Sequence, residues 1–323
     1  MIRIVRRFPR VRLLVVGDLM LDQFIWGKVS RISPEAPVPV VHVASESFHL
    51  GGGANVAANI RALGGHARVV GIVGRDEHGR RVLHDLRSIG AGVSGVIQTR
   101  AYPTIQKTRI IAHQQQVVRL DREEPIGNHG LAAAVLDRVE KALRGVDAVV
   151  VSDYGKGVVT PDLLSFLAER CGRKPMPMLF IDPKKGNFAH YRQATLVKPN
   201  VEAASQASGI EIVDDITLRR AGERLVEMWQ AESVLISRGE DGMTLFRREK
   251  GMKHFPTAAR EIFDVTGAGD SVLSTAALAL GAGASFEEAA ELANRAAGIV
   301  VGKIGTASAA AEELIESLRR SST

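Results

Sequence analysis

One pattern recurs along this chain: a short run of Val, Ile and Leu ends in a polar cluster and gives way to a helix-like stretch. Residues 11–16 end in Gly17-Asp18, residues 147–151 in Ser152-Asp153-Tyr154, and residues 178–181 in Asp182-Pro183-Lys184. Residues 195–197 end in Lys198-Pro199-Asn200, and residues 234–236 in Ser237-Arg238-Gly239. Continuous apolar runs of this length predict strands buried on both faces of a parallel sheet. Between them, residues 131–143 and 218–229 are amphipathic, and Thr160-Pro161-Asp162 sets a cap and a first-turn proline before residues 163–171. This alternation predicts an α/β fold built on a doubly wound, mostly parallel sheet. Such sheets bind ligands beyond the carboxyl ends of their strands. All five polar clusters fall at that edge.

Residues 23–43 and 104–120 break the pattern. They are rich in Val, Ile, Thr and aromatics, lack helical periodicity, and the first is interrupted by Pro34, Pro37 and Pro39, which suits an edge strand. They predict antiparallel strands of a small β-sheet inserted into the main domain as a lid or a dimer contact, from segments at about 19–45 and 100–121. The alternative is that they extend the main sheet. With 323 residues the chain suits one large α/β unit, taken here as residues 11–318, with residues 319–323 as a disordered tail.

Composition narrows the function classes. A single cysteine, Cys171, excludes an internal disulfide framework and a multi-thiolate metal site. The apolar run after the basic N-terminus is too short for a signal-peptide core, and no stretch reaches the roughly 20 apolar residues of a membrane span. A cytoplasmic, soluble protein with no membrane partner is expected. The net charge of +6 fits either nucleic acid or small polyanions, but the basic residues are dispersed and aromatics make up only 5%.

Residues 264–271, Asp-Val-Thr-Gly-Ala-Gly-Asp-Ser, precede an Ala-rich apolar stretch. Gly267, Ala268 and Gly269 then form the first turn of a helix, where small residues let backbone N–H groups approach an anion and the helix dipole adds positive charge. Asp270 has two readings. It is either a base that takes a proton from an attacking hydroxyl, its pKa depressed by the helix end, or a plain first-turn carboxylate. A second Gly-rich element, Gly51-Gly52-Gly53, precedes a short helix carrying Asn55 and Asn59 four residues apart on one face. That pair either binds a polyol or satisfies neighbouring backbone. No Walker A loop, dinucleotide fingerprint or His-Glu-x-x-His occurs, and the nine histidines are scattered and read as surface residues.

Taken together and in this order, the two glycine elements resemble the two signatures of the ribokinase (PfkB) family of carbohydrate kinases. The likeness runs from about Leu13 to Thr306. Further elements sharpen it: residues 17–22, Ser30-Arg31-Ile32-Ser33-Pro34-Glu35-Ala36-Pro37, Arg119-Leu120-Asp121, Ser152-Asp153-Tyr154-Gly155-Lys156-Gly157, and residues 302–306. This set is similar to family members that act on D-glycero-β-D-manno-heptose 7-phosphate. The resemblance implies phosphorylation of the anomeric hydroxyl by ATP with Mg²⁺, and a monovalent cation is a further candidate cofactor. It implies Asp270 as base and Gly267–Gly269 as the anion hole. It places sugar hydroxyls at Asp18, Asp22, Gly51–Gly53, Asn55 and Asp153, and the nucleotide along Asn200, Ser237, Gly239, Gly242, Asp264 and Asn294, under a closing loop at 303–306. A homodimer through the lid sheet, and no nucleic-acid partner, are expected as well. The nearest alternative is a kinase for ribose, fructose or a nucleoside; a more distant one is a non-catalytic sugar-phosphate-binding regulator.

One departure concerns the metal. The family pattern is Asn-x-x-Glu, whereas here Asn200-Val201-Glu202 brings the carboxylate one residue early, a rotation of about 100° on a helix. Asn200 and Glu202 stand as the metal-side candidates. Two-domain forms of these kinases carry a nucleotidyltransferase. This chain ends at Thr323, so the kinase step alone is expected of it. A substrate that already bears a phosphate needs cations far from the transferred group. Lys28, Arg31, Lys107, Arg109, Arg119 and Lys156 are the candidates, each of them otherwise a solvated surface charge.

Overall fold

The computed structural model describes all residues except 114, 125–129, 173, 174, 260, 304 and 321–323. In chain order the first strands are β1 (Arg12–Gly17), β2 (Leu19–Ile32), β3 (Pro39–Gly52), β4 (His66–Gly74) and β5 (Gly92–Thr99). Then come β6 (Ile105–Ala112), β7 (Gln115–Arg122), β8 (Ala148–Ser152) and β9 (Met178–Asp182). The last are β10 (Leu196–Val197), β11 (Ser233–Ser237), β12 (Met243–Arg247) and β13 (Gly251–Phe255). The helices are α1 (Ile2–Val5), α2 (Gly53–Ala62), α3 (Glu77–Ser88), α4 (Leu131–Ala142) and α5 (Pro161–Arg170). They continue with α6 (Val201–Ser208), α7 (Asp215–Met228), α8 (Ala268–Gly281), α9 (Phe286–Val301) and α10 (Ala311–Arg320).

Strands β5, β4, β1, β8, β9, β10 and β11 lie side by side and parallel, and β12 and β13 add an antiparallel edge. The alternation of side chains explains why each run is apolar throughout. Leu13, Val15, Val150 and Phe180 pack with α2, α8 and α9 in one core, while Leu14, Val16, Val149 and Ile181 pack with α4, α5 and α7 in the other. The expected strands and the helices around 131–143, 163–171 and 218–229 all appear, and Thr160 caps α5 by accepting from the Leu163 N–H. Among the described residues, no helix is long and apolar enough to cross a membrane.

The small sheet is separate from the main one and has the order β3-β2-β6-β7. Two expectations are corrected there. Only the hairpins β2–β3 and β6–β7 are antiparallel, and the central β2–β6 pair is parallel. The reason is that β2 and β6 each leave the carboxyl edge of a parallel strand, β1 and β5, and so set out in the same direction. Further, β3 runs on to Gly52 and enters α2 at Gly53, making the lid continuous with the glycine element.

The chain ends also differ from expectation. Ile4, Val5 and Phe8 are buried in the first core, so the packed unit begins before residue 11. Arg319 and Arg320 complete α10, where Arg320 pairs with Glu316 one turn back, so they are helical rather than a loose tail; residues 321–323 lie outside the described residues.

The lid's second root is held by one carboxylate. Asp76 caps α3 through Gly79 N–H (2.7 Å) and accepts from the backbone N–H and the hydroxyl of Thr104, both at 2.7 Å, just before β6. These bonds hold its carboxyl below the usual 3.8 against the opposing effect of burial. A depressed folded pKa means that the contribution is complete above the unfolded value and is lost as pH falls through the folded one. Asp76→Ala is expected to cost about 2–3 kcal/mol at neutral pH, with a deficit that shrinks below about pH 4, measured by urea unfolding of both proteins across pH.

Candidate active site

Strand order reverses between β1 and β8, and the crevice beyond their carboxyl ends is where an open α/β sheet places ligands. Asp18, just after β1, is fully buried there. Its carboxylate accepts from the N–H groups of Tyr154 (2.9 Å), Lys156 (3.1 Å) and Val158 (3.2 Å) after β8. Burial nonetheless pushes its pKa up to about 6. Asp18 therefore shapes the 154–158 loop and does not face the cleft. Asp153 is used in the same way. Tyr191 hydroxyl (2.6 Å), Asn187 amide (2.7 Å) and Gly155 N–H (2.7 Å) occupy it, and its pKa is also raised by burial.

Above this crevice α8 starts at Gly267, whose φ of 80° is left-handed and whose Cβ, if it had one, would lie 2.8 Å from Asn55 Nδ2. Only glycine fits on both counts. The Ala268 N–H turns back to the Val265 carbonyl at 3.2 Å, which leaves the N–H groups of Gly269 and Asp270 as the open donors of the turn. Asp270 is buried, at 4% exposure. Asn55 Nδ2 donates to its Oδ2 at 2.7 Å, and the Tyr154 hydroxyl reaches both oxygens at 3.2 and 3.4 Å.

The orientation of Asn55 is set by a relay. Ser271 donates to Asn59 Oδ1 (2.6 Å), which turns the Asn59 amide N–H₂ toward Asn55 Oδ1 (3.2 Å) and the Asn55 carbonyl (2.9 Å). With its oxygen so engaged, Asn55 presents N–H₂ to Asp270. Of the two asparagines, Asn59 serves the relay and Asn55 holds the carboxylate.

The expectation that the helix end depresses Asp270 is corrected. Its pKa is pushed up to about 7, chiefly by burial and by the nearby Asp182 charge, against the lowering effects of Asn55, Lys198 and Tyr154. Desolvation of the charged form outweighs the dipole at this depth. A carboxyl with that pKa is a better base at neutral pH than an ordinary aspartate.

Asp270 looks into a cleft lined by Met20, Asp22, Gly52, Asn55, Lys107, Arg109, Tyr154, Thr266, Gly267 and Thr306. Arg109 pairs with Asp22 at 2.6 Å and lies over the Phe24 ring, while the Lys107 ammonium stands 5.6 Å over the Tyr154 ring. Gly51 makes room for this pair, since a Cβ there would lie 2.5 Å from Asp22 Oδ2. Gly52 has φ 56°, and the Gly53 N–H donates to the Asp18 carbonyl. Other cations proposed from sequence are elsewhere. Arg119 pairs with Asp121 on the exposed β7, Lys156 pairs with Glu123, and Lys28 and Arg31 are exposed on the outer part of β2.

On the other side of Tyr154 lies a second cleft, bounded by Asp153, Asp182, Lys184, Lys198, Asn200 and Glu202. Lys198, missed by the sequence reading, is buried and pairs with Asp182 at 3.1 Å. A Cβ on Gly269 would lie 2.9 Å from its ammonium. The signal is a charged residue at the end of the apolar β10, in the same cluster as Asn200. Asn200 caps α6 through the Ala203 N–H, and Glu202 is bonded by Gln206. Among the described residues no group of three His, Cys, Asp or Glu converges as a preformed metal site. The Thr306 hydroxyl oxygen is shielded and has no partner among the described residues, beside Gly267. Buried ammonium, open helix N–H groups and an unpartnered hydroxyl form a donor set suited to phosphoryl oxygens.

Farther along the sheet edge Ser237 bridges to Asn200, and Gly239 and Gly242 adopt φ of 61° and 79°. Asn294 pins the Pro256 carbonyl at 2.7 Å beside a cleft of about 690 Å³ between residues 256–258, α9 and α10. Asp264 accepts from the N–H groups of Thr266 and Gly305, so it ties the glycine turn to the segment at Gly305. Ile304 lies outside the described residues.

A buried carboxylate at a glycine-rich helix start, between a cleft under a β-lid and a donor-lined cleft at the sheet edge, is the arrangement of a sugar kinase of ribokinase-like fold. A match to the pfkB family of carbohydrate kinases covers residues 11–313, and the chain belongs to that family. It is 46% identical over 310 residues to the bifunctional protein HldE of Geobacter metallireducens, a match covering 95% of this chain and 63% of that protein. The chain thus spans less than two thirds of the length of this relative. In fold it resembles phosphofructokinase-2 of Escherichia coli in complex with potassium (TM-score 0.80, 20% identity, 97% of this chain and 99% of the other). It also resembles the Arabidopsis thaliana ribokinase complexed with ribose and ATP (TM-score 0.74, 18% identity, 96% and 99%). A kinase of this family uses ATP and a divalent metal.

Asp270→Asn keeps the side-chain volume and removes the carboxylate. It is expected to lower turnover by about 10²–10⁴-fold while leaving ATP affinity unchanged, as followed by ADP release and calorimetry. In the unsubstituted enzyme, kcat/KM for the acceptor should fall as pH drops below about 7, where Asp270 becomes protonated.

Proposed function

We propose that the chain transfers the γ-phosphoryl group of ATP to the anomeric hydroxyl of D-glycero-β-D-manno-heptose 7-phosphate. The product is the 1,7-bisphosphate, on the route to ADP-heptose and the lipopolysaccharide inner core. The observation that carries this reading is the cleft itself, lined by Asp270 from α8 and by the Lys107 and Arg109 cations from the lid strand β6. A base and lid cations lining one cleft suit a sugar that already bears a phosphate. The likeness to the HldE relative points to the same acceptor.

In this mechanism Asp270 takes the proton of the anomeric hydroxyl as its oxygen bonds to the γ-phosphorus and the bond to the ADP oxygen breaks. Charge on the transferring group meets the Gly269 and Asp270 N–H groups and the Lys198 ammonium. Mg²⁺, when bound with the nucleotide, neutralises phosphate charge, and Asn200 and Glu202 are the side chains on that flank. The adenine would lie in the cleft beside Asn294, with Gly239 and Gly242 along the phosphate path. A monovalent cation beside the anion turn belongs to the same proposal. With ATP as donor, the reaction is assigned to the cytoplasm.

ADP release measured across heptose 7-phosphate, ribose, fructose and a nucleoside is expected to favour the heptose phosphate by at least about tenfold in kcat/KM. Faster turnover of ribose would reject the assignment, and salt-dependent duplex binding with no ATP turnover would point to a regulator.

The proposal includes a homodimer through the lid. Ile25, Ile110, Val118, Leu120 and Val43 share the lid face turned away from Asp22 and Arg109, and Val43, Val118 and Leu120 are exposed. An exposed apolar stripe of this kind suits a second copy. Sedimentation should give a dimer for the unsubstituted chain and a monomer for Val118→Glu; a monomeric unsubstituted chain would reject it.

A further inference from the structure

Tyr154 has a place that neither the sequence reading nor the proposed mechanism uses. It lines both clefts, the acceptor side with Asp22, Lys107 and Asp270, and the phosphate side with Asp182 and Lys198. Tyr154 thus stands between the two clefts, beside the base. Its hydroxyl, at 3.2 and 3.4 Å from the two Asp270 oxygens, lies across the open edge of the carboxylate, while Asn55 covers the other side. Burial and the neighbouring carboxylates raise the phenol pKa well above 10, so it remains a neutral donor.

The backbone under Tyr154 is held. Its own N–H donates to Asp18, and Asp18 and Asp153 between them take the N–H groups of Gly155, Lys156 and Val158. Any motion of the phenol is therefore a side-chain rotation on a fixed loop. An acceptor hydroxyl that is to give its proton to Asp270 must reach the carboxylate edge that Tyr154 spans. Two donors then compete for one set of lone pairs.

We propose that Tyr154 is a positioning residue for the base: its hydroxyl holds Asp270 in place and yields the carboxylate only to an acceptor hydroxyl, so that water does not take the acceptor's part. This rests on the kinase reading above and adds to it a means of restraining acceptor-independent ATP hydrolysis. In that side reaction, water bonds to the γ-phosphorus, its proton passes to Asp270, and the bond to ADP breaks, giving ADP and phosphate. The other charges facing Asp270 are Asp182 and Lys198 from the main sheet and Asp22, Lys107 and Arg109 from the lid. None of them changes when only the phenol oxygen is removed.

The test is Tyr154→Phe, which keeps the ring and deletes the hydroxyl. Well above the base's pKa, ATP hydrolysis without sugar is expected to rise by about fivefold or more, the scale of one lost hydrogen bond. Because the hydroxyl stabilises ionised Asp270, its loss should also move the acid limb of the hydrolysis–pH profile upward by about half a unit or more. 3-Fluorotyrosine at position 154, a stronger donor of nearly the same volume, should move that limb the other way, and it replaces Tyr154→Phe as the deciding variant if the phenylalanine form does not fold. Unchanged hydrolysis and an unchanged acid limb, in a variant with native melting and ATP affinity, would overturn the proposal even if sugar turnover fell. Both readouts need no sugar, so a wrong acceptor assignment would show in the unsubstituted enzyme's sugar turnover and leave this test intact.

Discussion

Burying the charge of Asp270 is the constraint around which the site is built. A carboxylate out of water is costly unless hydrogen-bonded or paired. Here the partners come from three separate parts of the chain: the Asn55 amide on α2, the Tyr154 hydroxyl after β8, and the Lys198 field after β10. The compensation is incomplete, and the remainder appears as a pKa of about 7. In the base role proposed for Asp270 that incompleteness is useful, because proton transfer is most effective when the base is poised near the working pH.

The glycines serve the same end. Gly267 lets α8 begin hard against Asn55, Gly51 leaves room for Asp22 beneath the lid, and Gly269 admits the Lys198 ammonium to the anion turn. A side chain at any of them would separate groups that must touch. The aspartates divide into two kinds. Asp18, Asp76 and Asp264 spend their oxygens chiefly on backbone N–H groups, and Asp153 spends its own on the Gly155 N–H and the Tyr191 and Asn187 side chains. Asp270 instead faces the cleft under the lid, its oxygens met by the Asn55 amide and the Tyr154 hydroxyl.

Much of the fold was legible because burial on both faces of a parallel sheet imposes continuous apolar runs, as in residues 11–16 and 147–151. The helix start at Gly267 and the glycine element at Gly51 were legible for a similar reason: close backbone approach demands residues without side chains. The lid was visible as strands but not as a mixed sheet. Its parallel centre depends on where β1 and β5 end relative to each other, which no local pattern carries. The edge pair β12–β13 and the packing of the first ten residues were not anticipated, since both depend on distant partners.

By itself the sequence determined five strands of the main sheet, the position of the glycine-rich helix start and the likeness to the pfkB family, because these rest on local spacing and residue type. Only the tertiary structure decided what each polar residue does. Asp18 and Asp270 look alike in sequence, each a carboxylate beside a glycine at a strand or helix boundary. Yet one is saturated by three backbone donors and the other is left facing a cleft with a raised pKa. The same holds for Lys107 and Arg119, two lid cations of which one lines the acceptor cleft and the other meets Asp121 in solvent. Hydrogen-bond satisfaction and desolvation are set by residues far apart in the chain, and those meet only when it folds.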